Sequence, residues 1–326
     1  MHEFEILDLI KNKLTDSADF LGNDCAFIEE YGLVFTTDTL IEDVHFSLKT
    51  TTPENLGHKA LAVNLSDIAA SGAIAKYGLI SLSFPQDTDK KFVEKFYEGL
   101  NNLATKYQVL IIGGDLTRSD KICINITLIG ETQGIKPAKR SSAKAGDIVV
   151  TTGFFGSSAL GLWLLQNENK INIRYDEFVL ERFKNTHLKP EPRNGFGRII
   201  AQTINGDFAM MDTSDGLADG LFKIAKASNV CLEIDKNLIP IAHNLIEICE
   251  TQNLSYFDMA LFGGEDYELL ACIKNSDFEK LQKNNIPIRK IGIVKANNNS
   301  KVLIDNEELT EDILKEKSFC HWKNSN

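Results

Sequence analysis

Two hydrophobic periods alternate along the chain, and this alternation restricts it to folds in which sheets and helices pack as layers. In Ile122-Cys123-Ile124-Asn125-Ile126-Thr127-Leu128 apolar side chains take every second position, as a strand with one polar face requires. From Thr88 to Tyr107, Phe92, Phe96, Leu100, Leu103 and Tyr107 recur at three- and four-residue intervals behind Thr88 and Asp89 as start signals. That spacing predicts an amphipathic helix. Pro53 to Ser71 follows the same pattern, and further strands are expected at 33–37, 77–84, 109–112, 148–152, 208–211, 230–234, 269–273 and 288–294. The basic stretch Lys136 to Gly146 is the expected linker, dividing an N-terminal domain, 1–136, from a larger C-terminal α/β domain, 137–326. A polar turn is expected at Asn297-Asn298-Asn299-Ser300.

Charge narrows the choice of ligand. The 326 residues hold 46 Asp+Glu against 35 Lys+Arg, a formal net charge of −11. Nucleic acid and anionic membranes are held by cationic surface, so neither is an expected partner. A phosphorylated ligand fits such a chain when metal ions stand between the two negative partners. Cys25, Cys123, Cys231, Cys249, Cys272 and Cys320 are scattered without a CxxC pair, as reduced core residues would be. Met1-His2-Glu3-Phe4-Glu5 is acidic where a signal peptide would be basic, and no apolar run approaches the ~18 residues of a membrane span. A cytoplasmic protein is expected.

Five Asp-bearing clusters are expected where strands stop or helices start: Gly22-Asn23-Asp24, Thr36-Thr37-Asp38-Thr39, Asn64-Leu65-Ser66-Asp67, Gly113-Gly114-Asp115 and Met211-Asp212-Thr213-Ser214-Asp215-Gly216. Asp beside Thr, Ser and Gly supplies the oxygen ligands that magnesium takes. The same residues are ordinary caps and turns, and Ser214-Asp215-Gly216 ahead of Leu217, Leu221 and Ile224 starts a helix with no metal at all. Asp67 stands apart, because it interrupts the apolar pattern Leu61, Val63, Leu65, Ile68, Ala69, where an unpaired acid is costly. A Gly-rich turn from Thr152 to Ser158 precedes a helical run and offers backbone N–H groups to phosphate, although it matches neither the P-loop nor the dinucleotide fingerprint. Val109 to Asp115 and Met259 to Asp266 each place a Gly-Gly-acid turn after an apolar run. No HExxH, GxSxG or protein-kinase signature is present, and His45 alone reads as a surface or core residue.

Taken in order, Gly22 to Ala26, Thr36 to Phe46, Lys59 to Ala70, Gly113 to Arg118, Met211 to Leu217 and Gly263 to Leu269 resemble the thiamine-monophosphate kinase family of the aminoimidazole ribonucleotide synthetase-like superfamily. The resemblance implies an α/β (α+β) fold of two domains, the N-terminal ones pairing their sheets in a homodimer with ATP near that interface. It implies direct in-line transfer of the ATP γ-phosphoryl to thiamine monophosphate, giving thiamine diphosphate with several Mg2+ ions. By similarity, Asp24, Thr36, Thr37, Asp38, Asp67, Asp115, Asp212 and Asp215 match metal-binding positions, with Asp38, Asp67, Asp115 and Asp212 carried over as catalytic. Tyr97, Gly114, Asp115, Arg140 and Ser214 match nucleotide contacts, and His45, Glu265 and Phe319 match substrate contacts. Two departures stand out: Asn23 replaces an acid in the first turn, and Phe319-Cys320-His321-Trp322 replaces an aromatic-Asp-His-aromatic ending. Phe319 aligns better for stacking on the thiamine ring, with Trp322 its competitor. The alternatives are an ATP-dependent synthetase activating an amide oxygen, a selenophosphate synthetase, and a catalytically silent metal-binding protein. Selenophosphate synthetase calls for a reactive Cys near the N-terminus, whereas Cys25 lies inside the metal-type turn.

Overall fold

A computed structural model describes residues 3–14, 20–168, 175–296 and 301–319. In the N-terminal half α1 (Glu3–Lys13), β1 (Ala26–Ile28), β2 (Leu33–Ile41), α2 (Pro53–Ser71), β3 (Ile74–Phe84), α3 (Lys90–Tyr107), β4 (Leu110–Arg118) and β5 (Cys123–Glu131) follow one another. The strands form one sheet in the order β1-β2-β5-β3-β4, antiparallel except for the β3–β4 pair. Thr52 and Asp89 cap α2 and α3 through their side chains, and both helices lie on one face of the sheet. Leu56, Leu61, Leu65, Phe96, Leu100 and Leu103 bury themselves there against Ile80, Leu82, Ile124, Ile126 and Leu128.

The opposite face carries the alternate residues of each strand and is bare. Tyr77 and Leu79 point there, and the edge strand β4 leaves Leu110, Ile112 and Leu116 exposed at 63%, 56% and 66%. An apolar strand edge left open in this way is a pairing surface.

The second half contains β6 (Ile148–Thr152), α4 (Ser157–Asn167), α5 (Glu177–Leu188), α6 (Asn194–Ile204), β7 (Ala209–Asp212), α7 (Leu217–Ser228), β8 (Val230–Ile234), α8 (His243–Thr251), α9 (Tyr256–Phe262), β9 (Leu269–Ile273), α10 (Asn275–Lys283), β10 (Ile288–Ala296), β11 (Val302–Ile304), β12 (Glu307–Glu308) and α11 (Glu311–Lys317). Its sheet runs β12-β11-β8-β10-β6-β9-β7. The mixed α and β layers are those the hydrophobic periods predict. Between the sheets the expected linker is packed rather than loose, with Ala138 and Ala143 buried and Ser228 Oγ donating to the Arg140 carbonyl at 2.7 Å. Among the described residues no helix is long and apolar enough to cross a membrane.

Helix α2 belongs to both halves. Ala69 and Ala70 join a core with Ile148, Val150, Ile200, Ala201, Met210 and Leu269 of the second half. Where α6 crosses α2, a Cβ on Gly197 would lie 2.0 Å from the Ala69 carbonyl oxygen, so only glycine permits this approach. Gly197→Ala is expected to lower the melting temperature by about 5 °C, from overpacking of roughly 2 kcal/mol. Thermal unfolding followed by circular dichroism checks this.

Three of the acid clusters depart from the expectation of element ends. Thr36 to Thr39 lies inside β2, which continues to Ile41 because every residue from Leu33 on finds a partner in β5. Gly113-Gly114-Asp115 lies inside β4, and Gly114 is there for a close approach, since a Cβ would meet the Ile80 carbonyl oxygen at 1.8 Å. Asn64 to Asp67 sits within α2. The two Gly-Gly-acid segments are therefore unlike: one is strand, the other follows the end of α9. The short strands β1, β11 and β12 were not expected, and the turn at 297–300 lies outside the described residues.

Candidate active site

A cleft of about 1140 Å³ opens between the two halves, lined by β2, α2, the loop through His45, α4, the end of β7, the Gly263 to Tyr267 turn and Phe319. One end of it is acidic. Asp24, Asp67 and Asp212 bring carboxylate oxygens within 4.8 Å of one another. Asp212 closes strand β7 and is 1% exposed. Its Oδ2 accepts a hydrogen bond from Ser66 Oγ at 2.5 Å, while its Oδ1 has no partner among the described residues. Asp67 accepts from Thr36 Oγ1, Asp24 pairs with Arg140, and Asn64 Oδ1 accepts the Asp38 backbone N–H at 3.1 Å. Asn23 accepts the Arg140 backbone N–H at 3.0 Å, so the residue that departs from the family pattern holds this arginine in place.

Burial and mutual repulsion drive the carboxyls upward. Burial, then the nearby Asp38, Asp212 and Asp24, hold Asp67 well above the ordinary carboxylate range. Burial and Asp24 do the same to Asp212, and burial and Asp215 to Asp38. An all-oxygen donor set with one buried, unpartnered oxygen and too much negative charge fits a hard divalent cation. Lys223 on α7 lies behind these acids, 3.0 Å from Asp215 Oδ2 and 2.6 Å from Asp219 Oδ2.

The other end suits a ring. His45 Nδ1 accepts the Ile41 backbone N–H at 3.0 Å, which fixes its hydrogen on Nε2. Its ring lies 6.1 Å from that of Phe319, tilted by 51°. Trp322 lies outside the described residues. Glu265 lines the same cleft. Burial opposes its charge, but Lys59 at 2.8 Å and His187 at 3.1 Å outweigh burial and bring its pKa down to about 2. Its backbone N–H donates to the Ser214 carbonyl at 2.6 Å, joining this turn to the one after β7.

Asp38, Asp67, Asp212, Ser214, Asp215, His45, Glu265 and Phe319 thus line one cleft, with Asp24, Thr36 and Arg140 behind its acidic end. Thr37 also lines the cleft, and its Oγ1 accepts from Asn125 Nδ2 at 3.1 Å on the bare face of the sheet. Asp115 pairs across β3 and β5 with Ser81 and Asn125, on that same face. Three strand spacings separate β4 from β2, about 14 Å, so Asp115 and Gly114 stand apart from the acidic cluster. Tyr97 stands apart too, half-buried on α3 with an edge-on contact to Phe96 at 5.4 Å.

The Gly-rich turn before α4 has a different use, because Asp266 takes the N–H groups of Gly156 at 2.7 Å and Ser158 at 2.9 Å. Lys59, His187, Asp219 and Lys223 were not singled out from sequence. Lys59 carried the signal that marked Asp67, a charge inside the apolar pattern of α2. His187 carried none, and Asp219 with Lys223 has the i, i+4 spacing of any surface helix pair.

The family model for the AIR synthase related protein, N-terminal domain, matches residues 22–132. The thiamine-monophosphate kinase of Bacillus subtilis is 39% identical over 334 residues, spanning 99% of this chain and 100% of the relative. That of Aquifex aeolicus is 38% identical over 82% of this chain and 84% of its own. Among solved structures, AaThiL complexed with AMPPCP and TMP superposes with a TM-score of 0.87 at 34% identity, covering 98% of this chain and 97% of that one.

Proposed function

The chain belongs to the thiamine-monophosphate kinase family and phosphorylates thiamine monophosphate with ATP, and from this we propose how its cleft divides the work. The carrying observation is one cleft that brings a carboxylate cluster together with His45, Glu265 and Phe319. We assign Asp24, Asp38, Asp67, Asp212 and Asp215 to Mg2+, on the strength of the unpartnered Asp212 oxygen and the charge these acids hold in excess. Divalent ions held there would cancel charge between the ATP polyphosphate and the single phosphate of the acceptor and align the two.

This chain's own side chains do the rest. Phe319 and His45 pack against the thiamine ring system, and Glu265 faces its positive charge. Arg140, held by Asn23 and Asp24, meets the ATP phosphates. The acceptor phosphate is already mostly dianionic near neutrality, its second ionisation lying around pH 6, so no strong base is needed. One of its oxygens attacks the γ-phosphorus as the bond to the β-bridging oxygen breaks, and ADP departs with that electron pair.

A homodimer completes the reading. The bare sheet face with Tyr77, Leu79, Leu110 and Ile112 supports pairing of two N-terminal sheets. Gly114 and Asp115 lie in that same exposed strand, which supports their serving the nucleotide of the second subunit.

Incubation with ATP, Mg2+ and thiamine monophosphate is expected to yield thiamine diphosphate, and no product beside an active control would overturn the reading. With ATP made chiral at the γ-phosphorus by oxygen isotopes, inversion is the expected outcome of a single transfer. Retention would require a phosphoenzyme.

A further inference from the structure

Helix α2 carries a lysine where an isolated charge is least tolerated. Lys59 is 4% exposed between the buried Leu56, Ala60 and Leu61, and its ammonium reaches Glu265 Oε1 at 2.8 Å. The second oxygen, Oε2, lies 3.1 Å from His187 Nδ1 on α5. His187 is itself buried, lines the cleft and stands 3.1 Å from Ser158 Oγ. Glu265 is therefore gripped on each oxygen from a different helix, with lone pairs left for a ligand. It also holds a φ of 57°, the left-handed region that a side chain of this size rarely takes.

A buried ion pair is weak evidence for stability, since apolar residues of similar volume usually serve a core as well or better. This pair also opens onto the ligand cleft from a strained turn, and strain of this kind gathers at functional sites. The helix that supplies Lys59 also sends Asn64, Ser66 and Asp67 to the acidic end.

We propose that Lys59 and His187 are positioning residues for the phosphate acceptor. Together they fix Glu265, charged and immobile, as the acceptor and counter-charge for a cationic heteroaromatic ring bearing hydrogen-bond donors. The inference rests on the kinase reading above. It adds that selectivity for the acceptor is set from α2 and α5, by two residues that do not themselves bear the contact.

Steady-state kinetics and calorimetric binding of thiamine monophosphate test it. Lys59→Met is expected to raise KM and Kd for thiamine monophosphate about 10- to 100-fold, the range for a lost charged hydrogen bond. KM for ATP is expected to stay within about twofold, and Lys59→Arg to recover most of the loss. Combined with Glu265→Gln, Lys59→Met is expected to add little, because both act through one carboxylate. Parallel rises in both KM values, or losses that multiply in the double variant, would overturn the proposal. If Lys59→Met does not fold, His187→Leu alone and with Glu265→Gln decides by the same criteria. Absence of product from the wild-type protein would refute the kinase reading, whereas variants that bind thiamine monophosphate as tightly as wild type refute this inference alone.

Discussion

Asp212→Asn is expected to lower kcat about 1,000-fold, roughly 4 kcal/mol of transition-state stabilisation, while raising the melting temperature of the metal-free protein by several degrees. Both effects follow from one carboxylate placed among others. The buried Asp212 crowds Asp24 and Asp67, and its carboxyl is pushed up by burial and by Asp24. A carboxyl raised in the folded state keeps a proton that the unfolded chain releases, so the metal-free fold loses stability as pH rises beyond the ordinary carboxylate range. Asparagine keeps the oxygen that accepts from Ser66 Oγ and removes the charge, so this loss shrinks. If the relief is about 2 kcal/mol, the gain is roughly 5 °C. Saturating Mg2+ is expected to raise the melting temperature of the wild type, as a ligand that binds only the folded state must, and to do so much less in the variant. Near-normal turnover at limiting Mg2+, or a less stable metal-free variant, would refute the assignment.

Mixing two inactive proteins is expected to restore activity. Asp115→Asn and Asp212→Asn should each be nearly inactive alone. After exchange of subunits in equal amounts, roughly half of the dimers pair one of each, and one of their two sites is intact, so about a quarter of wild-type activity returns. The expectation rests on the sheet register, which sets Asp115 about 14 Å from β2 and on the bare face, whereas Asp38 shares its face with Ile80 and Ile126. If Asp115 served its own chain's cluster, the mixed dimers would contain no site free of damage beyond those of the parents, and no activity would return.

Helix α2 and strand β5 were legible because their patterns are local: Thr52 and Pro53 start the helix, Gly72 ends it, and β5 alternates residue by residue. The reach of β2 and β4 was not legible. Gly113 and Gly114 read as a turn, and only the neighbouring β3 turns them into strand. The acid cluster was readable as a set of candidates, since Asp67 breaks an apolar run, but Asp24, Asp67 and Asp212 come from segments far apart in sequence. Only the packing of α2 against both halves brings them within 4.8 Å. His187 was invisible because its meaning comes entirely from Glu265, which no local pattern ties to it.

The shared helix is also a ruler. Lys59 and Asp67 are eight residues apart on α2, a rise of about 12 Å that a regular helix cannot stretch. In the proposed arrangement one end sets where the ring is held and the other where the phosphates meet, so the interval between them is built into the backbone. Side chains at either end can change without disturbing the other. A single residue inserted between them would swing the acidic end by about 100° and leave each half of the cleft sound but the two out of phase.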